Sequence, residues 1–307
     1  MLNIDCYLML LGSIKNMILI TRPWGFIMPT ICVSLSYVLG FYFLKIFNLV
    51  FYILTLIGVI LLNASVDVMN DYFDFKYKVD TENSNTANYR LHPIIHKILS
   101  TKQTLIYAII LALIALVIAS YLTLSRLYAL PFGLIGLLFV YMYNGPPFLL
   151  KYRALGEIEI PITYSFIIFA SYYIATGLLS YIVFIDGLPI AFLITSILIA
   201  NNMRDREKDE ESNVKTLAIL FPRFTNILYL SLIILSYLIL IPLAILRYIP
   251  LLAILTMITM PFAINKALFI SRKLPKDSDP QTANILTLFG IFYIILILLS
   301  GFVNITF

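Results

Sequence analysis

Nine long apolar runs dominate the sequence, at residues 23–45, 48–74, 103–124, 127–143, 158–179, 181–203, 223–246, 248–270 and 284–304. A transmembrane helix needs roughly 17–25 such residues to cross a hydrocarbon layer ~30 Å thick. Because lipid offers no water to backbone N–H and C=O groups, spans of this kind are helical. The hydrophobic fraction of 61% and the mean hydropathy of +0.97 exclude an ordinary soluble domain. We therefore predict an all-α, polytopic membrane protein with nine transmembrane helices.

Charged residues are concentrated in alternate loops. The connections after odd-numbered spans carry Lys45, Arg126 and Arg247 as their basic residues and Asp186 as their one acid. The positive-inside rule therefore predicts a protein of the cell membrane whose N-terminus and charged loops are cytoplasmic. A secondary transporter, the alternative from another class, needs polar groups reachable from both faces, and this one-sided distribution argues against it. An intramembrane aspartyl protease is disfavoured because the GxGD motif is absent.

The net charge and the cysteines exclude further classes of protein. The net charge of +5 reflects topology and not nucleic-acid binding, since basic residues are not interleaved with stacking aromatics on a polar face. Cys6 and Cys32 lack the spacing of a disulfide framework or a zinc site. We expect no cleavable signal, and we expect residues 1–21 to form an interfacial helix lying on the membrane. The whole chain, 1–307, is predicted to be a single membrane domain.

The second span ends in a stripe of amides and carboxylates. On a helix with about 100° per residue, one face carries Asn63, Asp67, Asn70, Asp71 and Asp74. A carboxylate at membrane depth costs at least ~2.5 kcal/mol and is usually paired or metal-bound. Because clustered carboxylates repel one another, the stripe indicates a bound cation, with a solvated helix end as the alternative.

The sixth span ends in a similar cluster, with Asn201, Asp205 and Asp209 spaced i, i+4, i+8. Asn70 and Asp74 repeat the first two positions of this pattern, four spans earlier. We therefore predict a pseudo-repeat of two four-helix halves plus one helix, with both clusters facing a central cavity. Oxygen ligands of this kind suit Mg²⁺, which completes its coordination with water and phosphate oxygens. The expected ligand is a Mg²⁺-bound diphosphate.

Three motifs resemble those of the UbiA superfamily of intramembrane prenyltransferases. They are NDYFD at 70–74 with Asp80 beyond it, YNGPP…LKYRALGE at 143–157, and NNMRDREKD…KTLA at 201–218. The sequences of these motifs are most similar to those of the 1,4-dihydroxy-2-naphthoate polyprenyltransferase branch. The resemblance implies nine helices around a cavity that opens sideways to lipid. It also implies that Asn70, Asp74, Asp205 and Asp209 hold Mg²⁺ and the diphosphate of an isoprenoid donor. Lys78 departs from the pattern, standing where that branch usually has glycine.

The predicted site has metal-binding and phosphate-binding members. The metal contacts, for two Mg²⁺ ions, are Asn70, Asp71, Asp74, Asp80, Asn201, Asp205 and Asp209. Among these, Asp74, Asp205 and Asp209 are expected to be catalytic. The phosphate contacts are Arg22, Arg90, Lys151, Arg153, Arg204 and Lys215. Lys151 has the best motif match, and for each of the others a topology-setting surface charge is the alternative.

Two aromatic features complete the set of candidates. Tyr143 precedes the helix-breaking Gly-Pro-Pro and is expected to face the cation formed on ionisation, since aromatic faces attract cations. A packing role for Tyr143 is the alternative. His92 and His96 have the spacing of a helical metal pair, but Pro93 between them favours loop histidines.

These features predict an integral-membrane enzyme that transfers a polyprenyl group from an allylic diphosphate, such as geranylgeranyl diphosphate, to a lipophilic acceptor. The acceptor is expected to be an aromatic quinone precursor of the naphthoate type, and the remaining partners are membrane lipids. Prenylation of a geranylgeranylglyceryl phosphate in ether-lipid synthesis is the alternative within the same class.

Overall fold

The structure is a computed structural model that describes residues 13–82, 90–212 and 214–303. Eight helices in this part of the chain are long and apolar enough to cross a membrane, and a ninth apolar helix is shorter. They are α1 (Pro23–Leu44), α2 (Leu49–Lys76), α3 (Thr101–Thr123), α4 (Ala129–Asn144, the shorter one), α5 (Gly156–Thr176), α6 (Ile182–Glu211), α7 (Pro222–Ile245), α8 (Leu251–Lys273) and α9 (Ser278–Val303). The prediction of an all-helical polytopic membrane protein is confirmed.

The predicted spans and the helices agree within a few residues except at the end of α6, which lies at Glu211 and not at 203, and at the start of α9, which lies at Ser278 and not at 284. α2 continues to Lys76 and α6 continues to Glu211, well past the apolar part of each run. Both extensions carry the acidic clusters as regular helix, so residues four apart stay on one face. Residues 13–19 are helical, as expected for the N-terminal segment, while residues 1–12, including Cys6, lie outside the described residues. Cys32 is a buried free thiol.

Local sequence explains where the helices begin and end. Ser100 and Gln103 form a reciprocal capping box at the start of α3. α4 ends at Asn144, immediately before Gly145 and its two prolines, as predicted from the Gly-Pro-Pro break. α5 ends at Gly177, whose φ of 81° lies in the left-handed region that glycine adopts without steric penalty.

The largest buried cluster joins α1 to the second half of the bundle. α1 packs against α5 and α9, and α6 packs against α5, α7 and α9. Buried tyrosine hydroxyls are satisfied across helix pairs, with Tyr229 2.9 Å from the Thr282 hydroxyl and Tyr237 2.9 Å from that of Thr259. This packed half provides a rigid support for the cavity on its other side.

The helices α2 to α6 surround a central cavity of about 340 Å³. Most of its wall is apolar, with side chains such as Leu62, Phe139 and Ile174. Polar side chains that line it include Asn70 near the C-terminal end of α2 and Asn201 on α6. The bundle therefore holds an interior space suited to a long apolar group with a polar head.

Candidate active site

A second, polar cavity of about 90 Å³ lies where α2 and α6 end. Of the predicted site residues, nine line it: Arg22, Asn70, Asp74, Asp80, Arg90, Lys151, Asn201, Asp205 and Asp209. The two acidic clusters, which are far apart in sequence, therefore face each other across one space. Arg22, Asn70, Lys151 and Asn201 also line the apolar cavity, so the two cavities adjoin.

Asp74 is the most heavily bonded acid of the first cluster. Asn70, one helical turn earlier, donates from Nδ2 to Asp74 Oδ2 at 2.8 Å. Lys151 Nζ donates to both carboxylate oxygens of Asp74, at 2.8 and 2.6 Å, and to Asn70 Oδ1 at 2.7 Å. The Tyr152 hydroxyl donates to Asp74 Oδ1 at 2.6 Å. The oxygens of Asn70 and Asp74 thus converge on one cation, an ammonium here, and are ligands that also suit Mg²⁺.

A short 3₁₀ turn, Leu150–Tyr152, brings Lys151 and Tyr152 to the end of α2. The turn is held by the segment that follows α6, because Ala154 N donates to Lys215 O at 2.7 Å and Lys215 N donates to Tyr152 O at 3.2 Å. The side chains of Arg153 and Lys215 are exposed and line neither cavity. The structure therefore does not bring these two predicted phosphate contacts to the site.

Asp71 lies beside the cavity but does not line it. Its carboxylate is fully buried and accepts two hydrogen bonds from Arg90, at 2.7 and 2.9 Å, and a further one from Arg22. Arg22 also lies 3.4 Å from Asp67. Because both arginines line the polar cavity, Asp71 holds two guanidinium groups at the wall of this cavity. In this structure it acts as their anchor and is not placed as a metal contact.

Arg204 connects the second cluster to α9. It donates to both oxygens of Asp205, at 2.9 and 2.6 Å, to Asn201 Oδ1 at 2.8 Å, and to Asp279. Asp205 and Asn201 line the cavity, whereas Arg204 supports them from behind. Among the predicted phosphate contacts, Arg204 is therefore placed as a positioning residue for this cluster.

Asp80 reaches the cavity from the loop between α2 and α3. Burial would raise its pKa, but the contact with His92, 3.5 Å away, and the charges of Lys151 and Arg90 outweigh burial and hold the pKa below its usual value. Asp80 is thus a carboxylate at neutral pH. His92 and His96 both lie in this loop, as predicted.

His92, Asp80 and Asp71 have potential ligand atoms within 4.8 Å of one another. However, Asp71 is already bonded to two arginines, so this trio is a poor site for a cation.

Several residues lining the cavities or bonded to the site were not predicted from the sequence, and three of them carry ionisable or hydrogen-bonding groups that bear on the chemistry. Tyr152 bonds to Asp74, and Lys208 lines the polar cavity. Glu159, on the first turn of α5, lines the apolar cavity together with the predicted Tyr143. Tyr152 is adjacent to Lys151 in the YNGPP…LKYRALGE motif, and Lys208 lies between Asp205 and Asp209, so both carried a weak signal. Glu159 carried no sequence signal except that it is an acidic residue within a predicted membrane span.

The fold and the paired cavities define a polytopic helical membrane protein with an internal site for an amphiphilic molecule. The sequence profile of the UbiA prenyltransferase family matches residues 27–293, and the chain belongs to this family. It is therefore a prenyltransferase by class, and the resemblance of its motifs is confirmed.

Known proteins similar to this chain agree with this assignment. UbiA prenyltransferase domain-containing protein 1 of Mus musculus is 30% identical over 294 residues, covering 92% of this chain and 84% of the relative. The 1,4-dihydroxy-2-naphthoate octaprenyltransferase of Bacillus subtilis (strain 168) is 29% identical over 203 residues, covering 66% and 64%. The structure of a UbiA homolog from Archaeoglobus fulgidus bound to GPP and Mg²⁺ superimposes with a TM-score of 0.64 at 18% identity, covering 94% and 98%. At that identity the structural likeness shows the shared fold.

Proposed function

We propose that this protein transfers a polyprenyl group from an allylic polyprenyl diphosphate to an aromatic, naphthoate-like quinone precursor, in a Mg²⁺-dependent reaction. The observation that carries the proposal is the meeting of two asparagine-led acidic clusters at a polar cavity that adjoins a larger apolar one. A diphosphate fits the first and an isoprenoid chain fits the second. The name of the Bacillus subtilis relative and the ligands of the Archaeoglobus fulgidus neighbour support the same substrate classes.

The acidic wall supplies the oxygen atoms that Mg²⁺ prefers. In this proposal two ions are held by Asn70, Asp74 and Asp80 on one side and by Asn201, Asp205 and Asp209 on the other. Bound Mg²⁺ would stabilise the negative charge that develops on the leaving diphosphate. Lys151 would bind the diphosphate directly. Its ammonium, which contacts Asp74 at 2.6 Å, lies on the wall of the polar cavity within reach of a bound phosphate.

The basic wall positions the diphosphate. Arg22 and Arg90 present planar guanidinium groups, which bind phosphate oxygens in pairs, and Asp71 fixes both. The allylic carbon would then lie at the junction of the cavities, where Tyr143 lines the apolar side. The aromatic face of Tyr143 would stabilise the allylic cation, and the apolar wall would keep water from it.

The orientation in the membrane is also proposed. All the polar residues of the site lie on loops and helix ends that belong to the charged side of the chain. Since positively charged loops favour the cytoplasm, the polar cavity is expected to face the cytoplasmic side of the cell membrane.

The test is an assay of the purified protein with Mg²⁺, geranylgeranyl diphosphate and a panel of acceptors. The panel contains a dihydroxynaphthoate, a hydroxybenzoate and a geranylgeranylglyceryl phosphate, and prenylated products are measured by mass spectrometry. We expect product with the dihydroxynaphthoate, and product with the glycerol phosphate alone would transfer the assignment to ether-lipid synthesis. Uptake of substrate into proteoliposomes without product would favour a transporter and refute the proposal.

Variants of the acidic clusters test the site itself. Asp74→Asn and Asp205→Asn should abolish turnover while the protein remains folded in detergent. Asp277→Asn, which removes an exposed acid outside both cavities, is the matched control and should keep activity. Full activity in Asp74→Asn with Mg²⁺ present would remove Asp74 from the metal site.

A further inference from the structure

One buried carboxylate on the wall of the apolar cavity has no role in the function proposed above. Glu159 is 7% exposed and lies on the first turn of α5. It lines the apolar cavity beside Tyr143 and Thr163, but it does not line the polar cavity where the diphosphate is proposed to bind. An ionisable group in this position within a membrane protein usually has a function.

Glu159 lacks the partners that normally accompany a buried acid. Thr163 donates to its Oε1 at 2.6 Å, and among the residues that the structure describes this is its one hydrogen bond. None of the described lysines or arginines forms an ion pair with it. The other acids on the same cavity wall are paired, Asp67 with Arg22 and Asp279 with Arg204. Glu159 therefore retains capacity to accept a hydrogen bond from a molecule in the cavity.

A neighbouring acid provides an internal comparison. Glu157 belongs to the same turn of α5 and is also 7% exposed. It accepts a hydrogen bond from Asn202 at 3.0 Å and lines neither cavity. Both acids lie in the first turn of α5, near the positive end of its dipole, so the dipole alone does not explain why Glu159 faces the cavity.

Glu159 lies close to the place where the new bond would form. The ring of Tyr143, which lines the same cavity, packs against this first turn of α5, since a Cβ atom on Gly156 would lie 3.4 Å from it. Asn70 and Lys151 line the same cavity and also the polar one, so they mark the junction where the allylic carbon is proposed to lie. An acceptor that enters the apolar cavity next to the allylic carbon would therefore meet the carboxylate of Glu159.

We propose that Glu159 is the general base that takes the hydroxyl proton of the acceptor, an inference that rests on the proposed prenyl transfer. The bond between the allylic carbon and the diphosphate oxygen breaks, and its electron pair leaves on the diphosphate. The acceptor supplies the electron pair of the new carbon–carbon bond, or of a carbon–oxygen bond if a hydroxyl attacks. The hydroxyl proton moves to a Glu159 oxygen, and this restores the charge balance of the acceptor.

The proposal also defines the substrate class of this part of the site. The acceptor must present a free hydroxyl group towards Glu159, because an anionic group there would be repelled by the carboxylate. For a ring attacked at a carbon that bears hydrogen, loss of the hydroxyl proton gives a ring ketone. That ketone then tautomerises to the prenylated phenol.

The test compares Glu159→Gln with Glu157→Gln in the purified protein. Each variant is assayed for prenylated product, for binding of geranylgeranyl diphosphate, and for slow hydrolysis of this donor without acceptor. Glu159→Gln should lower kcat by about 10²-fold or more, the usual contribution of a general base. Donor binding and donor hydrolysis should stay at the wild-type level. Glu157→Gln should remain close to wild type in all three measurements.

Further outcomes separate this inference from the proposed function. Product formation by wild type together with full kcat in Glu159→Gln overturns the role of Glu159 alone. A parallel loss of donor hydrolysis in that variant also overturns it, since Glu159 would then act on the donor. Absence of product in wild type with every acceptor overturns the proposed function, and the base with it. If Glu159→Gln fails to fold, Glu159→Asp, which keeps a base, should retain more activity than Glu159→Ala, and equal loss in both refutes the proposal.

Discussion

The hydrogen bond from Tyr152 to Asp74 offers a sharp test of the proposed metal site. The Tyr152 hydroxyl lies 2.6 Å from Asp74 Oδ1, and Asp74 is 4% exposed. Burial and the adjacent Asp74 carboxylate raise the pKa of Tyr152 far above its usual value, so the phenol stays protonated and always donates. Tyr152→Phe removes this donor and leaves the aromatic ring in place.

The size of the effect follows from the partners that remain. A hydrogen bond to a charged group contributes about 1.5–3 kcal/mol, which corresponds to roughly 10- to 150-fold in a binding constant. Asp74 keeps its bonds from Asn70 and Lys151 in the variant, so its orientation is only partly lost. We therefore expect the lower part of the range, about 10- to 30-fold, in line with the roughly 10- to 100-fold effect of residues that orient metal ligands.

The assay is the Mg²⁺ dependence of prenyl transfer at saturating donor. Tyr152→Phe should raise the Mg²⁺ concentration for half-maximal rate by this factor, and kcat at saturating Mg²⁺ should largely recover. Tyr77→Phe is the matched control, since the Tyr77 ring packs edge-on against Tyr152 with 5.6 Å between centroids. An unchanged Mg²⁺ requirement in Tyr152→Phe, or an equal shift in both variants, would refute the assignment of Asp74 as a metal contact oriented by Tyr152.

Three further predictions concern stability. Gly290→Ala places a methyl group 2.7 Å from Ile31 and should destabilise the protein by about 1–3 kcal/mol. Gly58→Ala is the control, because the atom nearest to its new methyl group is 3.6 Å away, and it should be neutral or stabilising. The melting temperatures of the two variants in detergent test this difference. Lys78→Gly relieves a left-handed φ of 60° and should raise the melting temperature, an effect of about 1 kcal/mol. Folding lowers the pKa of Asp80, so ionised Asp80 stabilises the folded protein. This contribution is complete above the unfolded pKa of about 3.9 and is lost as the pH falls through the folded pKa. The stability of Asp80→Asn should therefore depend less on pH below about 4 than that of the wild type.

Hydropathy was sufficient to predict the spans because lipid imposes one rule on every segment. A membrane helix must satisfy its own backbone, so length and apolar content determine where it lies. The left-handed φ of Lys78 gives a physical reason for the glycine that the resembling branch usually has there. The spacing of Asn70 and Asp74, and of Asp205 and Asp209, predicted that each pair shares one face of its helix, and the pseudo-repeat of the two clusters predicted that these faces meet at one cavity.

The different roles of the individual acidic residues could not be predicted in the same way. Asp71 and Asp74 fall within one arc of α2, and only the position of Arg22 and Arg90 decides that Asp71 is bonded to arginines. Arg153 follows Lys151 by two residues, but the 3₁₀ turn directs only Lys151 into the cavities. These distinctions depend on tertiary contacts between segments, which no local pattern contains.

If the protein has the proposed function, the charges on the polar cavity favour binding of metal and diphosphate as a unit. Among its described lining residues are four acids and four bases, Asp74, Asp80, Asp205 and Asp209 against Arg22, Arg90, Lys151 and Lys208. A wall balanced in this way gains little from an anion or a cation alone, because several of these charges already have an oppositely charged partner, such as Lys151 for Asp74 and Asp71 for Arg22 and Arg90. Mg²⁺ and diphosphate together bring opposite charges, so the acids can turn to the metal while the bases turn to the phosphates. In the proposed function the cavity would thus favour the complex of both over either component, and ionisation of the donor would depend on the presence of the metal.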